Sequence, residues 1–435
     1  MSASRPGPWA PLPWPGPSGV TSSPVQARTE PSDDAVRPSP STPSGRVALV
    51  DALRGAAMLG IVLVNFPTMN TMAGDETTAY GGLHHAVDRW VGSANMLLLN
   101  GKCYPIFALL FGLSLFLADR GGARPPTLAA RRLLVLLGIG LLHLALVWWG
   151  DILVVYALLG LLALPFLRWP PRRLLLLALG LLLLLPALTP LLGLLGHLGV
   201  PAAERVVLHG LGLVLPTPEA AAATYAHGTF AEMLRQRSLD YLADFTPFAA
   251  GEVTLGLLLA YARYYAQLFG LFLIGIWAGQ QGLHLRLGSD RAWTRKALGI
   301  VAPIAVLLTG LRLGVDGLDA VLSSFQGNAL ALAYILAFAL LLPAWPRAQG
   351  VFEAVGRLSL TAYLAHTSLC SLLLYATGLG LYGRIGPAAL LPISLACYTL
   401  IALGCLQWSR RFLIGPAEWA WRSLLHGRRL PLLKA

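Results

Sequence analysis

The stretch LLLLALGLLLLLPALTPLLGLL, residues 174–195, holds no charged residue, and several runs like it recur along the chain. About 20 apolar residues at ~1.5 Å each cross the ~30 Å hydrocarbon layer of a membrane. Inside that layer only helices and closed barrels satisfy their own backbone groups. A barrel would show alternating strands of ~10 residues, and none are present. Charged residues make up 12% of the chain, against ~25% in a soluble domain, and the mean hydropathy is +0.65. The expected fold is therefore all-α: a polytopic integral membrane helical bundle.

Ten candidate spans run at about 47–66, 94–118, 133–149, 151–167, 174–195, 264–283, 298–315, 320–343, 358–376 and 387–407. Residues 1–45 carry eleven of the 31 prolines and no apolar run. They read as a disordered Pro/Ser-rich tail and not as a cleavable signal, which needs an apolar h-region. Segment 196–263 is polar, expected to be partly helical and on the outer side. The transmembrane domain covers 46–425, and residues 426–435 form a basic tail. With the N-terminus inside, about 20 loop Lys and Arg fall on the inner side and six on the outer. That bias predicts both termini cytoplasmic in a cell membrane. It also accounts for the net charge of +12 without a nucleic-acid partner; the partner expected is membrane lipid.

The first span, GRVALVDALRGAAMLGIVLVNF, carries Asp51 and Arg54 three residues apart, hence on one helix face. Asn65 returns to nearly the same face, roughly 16 Å further along the helix. Small residues Gly55, Ala56, Ala57 and Gly60 fill the stripe between, which suits a helix packed inside the bundle. An ionisable group in a span is a binding-site candidate, but Arg54 near the inner end also has a snorkelling or simple pairing role open to it. Lys102 has the same two readings: a snorkelling cation, or a residue facing an outer cavity that holds an anion. His143 and His366 read as hydrogen-bonded packing residues or proton carriers. Asp151, in the tight outer hairpin Trp148 to Asp151, suits an N-cap. In GGLHHAVDRW, His84 and Asp88 stand four residues apart, a spacing open to a metal pair, to a carboxylate-oriented base, or to ordinary loop histidines; His85 is the neighbour of His84.

Other signals are weak. Gly378 to Gly383 fits GxGxxG but lies between hydrophobic helices with no βαβ unit. The four cysteines have no CxxC or metal-ligand spacing and read as packing residues, and no metal site is expected. No inverted repeat stands out.

Several stretches together resemble the YeiB-like membrane proteins, whose C-terminal half is called domain of unknown function 418. They are LVDALRGAAMLGIVLVNF, GKCYPIFALLFGLSLFL, RRLLVLLGIGLLHLALVWWGDILVVYALLGL, GRLSLTAYLAHTSL and FLIGPAEWAWR, covering about 46–425, with the C-terminal family region at about 264–425. Through the LxxLRG opening the chain is also similar to transmembrane acyltransferases of the acyltransferase-three and heparan-glucosaminide N-acetyltransferase types. That resemblance implies a cytoplasmic acyl-CoA co-substrate and an acceptor in the envelope. The acyltransferase-three pattern places a histidine where this chain has Asn65. The heparan-glucosaminide branch has Asn there and a histidine in the next outer loop, which implies His84 or His85 as the base, with Asp88 beside them.

Three functions are open on this reading: an acyltransferase-like enzyme, a transporter or exporter of a small or lipid-linked molecule, and a non-enzymatic scaffold or envelope-stress factor. Repeats and broken helices in matching places would favour transport. Replacement of Asp51, Lys102 and His84 without phenotype would favour the scaffold.

Overall fold

A computed structural model describes residues 45–71, 86–119, 126–188, 217–245, 255–315 and 319–433, all within the compact unit Pro43–Ala435. Among them there is no β-sheet, only an isolated bridge between Phe412 and Leu433. Six helical stretches are long and apolar enough to cross a membrane: Ala48–Met69, Ala86–Asp119, Thr127–Leu146, Arg291–Gly314, Val321–Ala344 and Pro387–Arg411. Tyr261–Gln280 and Leu283–Ser289 meet at 67° and would make a seventh if they act as one span. The expected segments 151–167 and 358–376 correspond to shorter apolar helices, Leu153–Arg168 and Ser359–Leu374. Part of segment 174–195 lies outside the described residues, and the part inside is interrupted by a π turn, Gly180–Leu184. Length alone therefore carries fewer crossings than hydropathy predicts.

Helix α1 spans Gly45–Met69 and lies at the centre of the bundle. Next come α2 (Ala86–Leu98), α3 (Cys103–Asp119), α4 (Pro126–Leu146), α5 (Leu153–Ala163) and α6 (Pro171–Leu179, continuing through the π turn to Ala187). The run expected at 94–118 is broken between α2 and α3 because Gly101 adopts φ 76°, a conformation that stops a helix. Gly282, at φ 65°, does the same between α9 (Leu255–Gln280) and α10 (Leu283–Ser289). Helices α11 (Arg291–Gly314) and α12 (Asp319–Leu341) form a hairpin; α11 is capped by Asp290, whose carboxylate accepts from the Trp293 amide. The chain ends with α13 (Pro346–Arg357), α14 (Ser359–Leu374), α15 (Pro387–Arg411) and α16 (Pro416–His426).

Burial follows from these crossings. Helix α1 packs most extensively on α13, and also touches α3, α14 and α15; α3 packs along α9. Met58, Val62 and Phe66 of α1 join Ala362, Cys370, Tyr398 and Ala402 of α14 and α15 in one core. By contrast only Thr294 and Ala305 of α11 are buried, as suits a helix turned to lipid.

Between α6 and α9 stand α7 (Pro218–His227) and α8 (Phe230–Phe245), helices within the polar segment 196–263. Fully buried Arg237 anchors α8: its guanidinium donates to the Leu146 carbonyl at 2.6 Å, at the end of α4, and lies 5.4 Å from the Tyr375 ring. Asp240 accepts from the Tyr225 hydroxyl and the Gln236 amide, yet burial pushes its carboxyl above the usual range. Arg237→Ala removes a charged hydrogen bond, an effect of about 1.5–3 kcal/mol. The expected result is that limited proteolysis cuts within α8 while the membrane-spanning helices stay intact; a cleavage pattern unchanged from wild type would show that Arg237 is not the anchor.

Candidate functional site

The ridge of α1 carrying Asp51 and Arg54 continues one turn and more beyond the tightly packed Gly55. Arg54 donates to Asp51 at 2.6 Å and also to the Ser114 hydroxyl of α3, so the pair bridges two helices and does not stand alone. Both side chains are partly exposed, at 21% for Arg54 and 13% for Asp51, and what they are exposed to is an internal cavity.

That cavity has a volume of about 660 Å³ and follows α1 from Asp51 and Arg54, past Met58, Ile61 and Val64, to Asn65 and Thr68. Asp51 to Thr68 is about 25 Å of helix at ~1.5 Å per residue, most of a membrane's apolar thickness. Its other walls come from α3 (Phe107, Phe111, Ser114), α4 (Arg132, Leu133, Leu136), the hairpin Trp148 to Gly150, and Tyr363 of α14. The Asp51 end adds Arg132, Arg357 and Arg422 together with the acids Asp119 and Glu418; the Asn65 end adds Asn100, Trp148 and Trp149. The cavity is thus arginine-rich but carboxylate-bearing at one end, apolar along its length, and amide- and indole-lined at the other.

Behind the Asn65 end lies a polar layer whose members His143, Asp151, His366 and Thr367 do not line the cavity. The Asn65 amide meets His366 Nε2 at 3.0 Å. With the amide nitrogen donating, Nε2 accepts and Oδ1 of Asn65 is left to other partners. His143 is held on both ring nitrogens, Nδ1 to Asp151 at 2.6 Å and Nε2 to the Thr367 hydroxyl at 2.8 Å. The second oxygen of Asp151 accepts from the Val154 amide at 2.9 Å, so this residue serves the start of α5 as well as the imidazole. His143, Asp151, His366 and Thr367 are all buried. Tyr363 packs against both imidazoles, with ring centroids 5.2 and 5.3 Å away, and separates them from the cavity it lines.

Other sequence candidates are placed differently. Lys102 is 2% exposed at the α2–α3 break, with its ammonium donating to the Met96 carbonyl at 2.9 Å; it does not line the cavity, although Gly101 and Cys103 do. Arg312, near the end of α11, donates to buried Gln326 at 3.1 Å. Asp88 accepts from the Ala388 amide at 2.9 Å, at the start of α15. His84 and His85 lie outside the described residues, and with them the proposed His84–Asp88 pairing. Among the described residues no group of three or more His, Cys, Asp or Glu side chains is arranged to hold a metal.

Several residues had no sequence signal of their own. Ser114, Tyr363 and Thr367 are ordinary polar residues until the helices cross. Glu418, within FLIGPAEWAWR, is buried, and its carboxylate accepts from the Leu360 and Thr361 amides and the Thr361 hydroxyl. A carboxylate on those orphan amides suits the positive end of α14. Trp421 donates to the Arg132 carbonyl and Trp419 to the Leu430 carbonyl. This distinctive motif therefore ties α16 to α4 and α14 beside the arginine-rich end of the cavity, which Glu418 itself lines.

These features define a helical membrane-protein bundle around a long, polar-ended internal cavity. Residues 278–428 match the family described as "Protein of unknown function (DUF418)". The chain is 30% identical over 398 residues to "Uncharacterized protein YeiB" of Escherichia coli (strain K12), covering 87% of this chain and 96% of that protein. It is 29% identical over 422 residues to "Uncharacterized protein YxaH" of Bacillus subtilis (strain 168), covering 91% and 98%. The chain belongs to the DUF418 family of YeiB-like proteins.

Proposed function

We propose that this protein is a ten-span protein of the cytoplasmic membrane, with both termini inside, that moves an acyl group from cytoplasmic acyl-CoA to an acceptor at the outer face. The observation that carries this reading is the continuity of the cavity along α1. Its arginine-rich end suits the phosphates of a CoA donor. Arg54 to Asn65 is roughly 16 Å of helix, a span that a pantetheine arm covers, so a thioester would reach the amide-lined end. There Asn65, braced by His366, would hold the acyl carbonyl or the acceptor, and His84 or His85 would take the acceptor's proton. The two short apolar helices, the π-interrupted segment and the bent pair would complete the ten crossings. The same continuity serves a transporter, the second reading, in which Asp51, Arg54 and Asn65 line a solute path.

The experiment is acyl-CoA binding to the full chain in detergent. Wild type binds, and Arg54→Gln or Asp51→Ala weakens binding tenfold or more, about 1.4 kcal/mol. His84→Ala together with His85→Ala leaves binding intact and abolishes transfer. No binding by folded wild type, combined with donor-free solute flux in proteoliposomes, would replace the enzyme with the transporter.

A further inference from the structure

The start of the exposed helix α11 carries a second site, remote in sequence from the cavity-lining residues. Arg291 and Arg295, both exposed, line a notch of about 370 Å³ together with Leu340 near the end of α12. Arg291 spends one donor on the Leu340 carbonyl at 2.9 Å, which fixes the guanidinium over the notch with its other donors unspent. The nearest acid in sequence, Asp290, is already committed: it accepts from the Trp293 amide, which holds its carboxyl below the usual range, and it pairs with Arg286 at 3.3 Å. The notch is therefore cationic with no carboxylate of its own to neutralise it.

The face beneath is shaped for a chain. Arg291, Arg295, Gly299 and Pro303 recur every four residues along one side of α11. Nothing lies within 4 Å of where a side chain on Gly299 would begin, and flanking Ile300 and Ile304 are 57% and 47% exposed. Trp345, just beyond α12, is 69% exposed, in keeping with a tryptophan at headgroup depth. We propose that this notch binds one anionic phospholipid, with its phosphodiester on Arg291 and Arg295 and an acyl chain along the Gly299–Pro303 face. Basic notches between helices at a membrane surface recognise such headgroups. The site is independent of the acyl-transfer reading.

The test is native mass spectrometry of the full chain in mild detergent with equal phosphatidylglycerol and phosphatidylcholine. Phosphatidylglycerol is retained as one copy, in clear preference. Arg295→Gln lowers that retention about fivefold, and Arg291→Gln with Arg295→Gln roughly 30-fold, at ~1 kcal/mol per basic residue. Gly299→Phe, which fills open space without changing charge, also lowers it. Arg410→Gln with Arg411→Gln, an exposed basic pair on α15, leaves it unchanged. Equal retention of the two lipids, or unchanged retention in the double glutamine variant, overturns the proposal. Full displacement by soluble glycerophosphoglycerol makes the notch a free-anion site and overturns the lipid.

Discussion

Gly356→Val is expected to leave no monodisperse protein after detergent extraction, and Gly55→Val to do the same. A Cβ at Gly356 would overlap the Asp51 carbonyl, and one at Gly55 would overlap the Phe352 carbonyl. Each helix thus offers a glycine to the other's backbone, one turn apart, in an antiparallel crossing of α1 and α13. The same reciprocal arrangement joins α3 to α9, where Gly112 faces the Phe272 carbonyl and Gly275 the Leu109 carbonyl. Ordinary overpacking costs about 1–3 kcal/mol. Here the obstacle is backbone rather than a side chain that can turn aside, so whole helices must separate. The loss should exceed the upper end of that range at each crossing. Gly138→Ala supplies the control: no atom lies within 4 Å of its Cβ position, and helix propensity alone favours alanine by about 1 kcal/mol. Size-exclusion profiles and thermal melts of Gly356→Val and Gly275→Val matching that control would show that the helices are not in backbone contact.

This crossing also explains which parts of the site were legible. Asp51, Arg54 and Asn65 share a stripe because helical periodicity is a local property, and the cavity does run along that stripe. The small residues Gly55 and Gly60 announced close packing, but not the partner, since a glycine records that something approaches and not what does. The partner of Arg54 on α3, Ser114, and the Tyr363 wall depend on how helices cross, which no single-segment pattern encodes. Asp151 shows the same limit. Its position before α5 made a cap legible, and it does accept from the Val154 amide, but its bond to His143 rests on the hairpin folding α5 back against α4. Membrane crossings were legible as apolarity and less so as length, because Leu153–Arg168 and Ser359–Leu374 are short and a π turn interrupts the helix at Gly180–Leu184.

His143→Leu is expected to destabilise the protein by about 3–5 kcal/mol, the usual result of stranding one partner of a buried pair. Asp151 is 0% exposed, and without the imidazole its carboxylate keeps the Val154 amide and the Tyr363 hydroxyl but no cationic partner. Adding Asp151→Asn to His143→Leu removes the stranded charge while leaving an oxygen for that amide. The double variant should therefore be more stable than His143→Leu alone, with a coupling of about 0.5–3 kcal/mol in a double-mutant cycle. Additive losses would mean that the two residues do not act as a pair. The same cycle separates architecture from chemistry. Tyr363 stands between the dyad and the cavity, so a dyad that only braces the Trp148 to Asp151 hairpin loses acyl transfer in proportion to stability. A dyad that relays protons loses transfer in the double variant even after stability has returned.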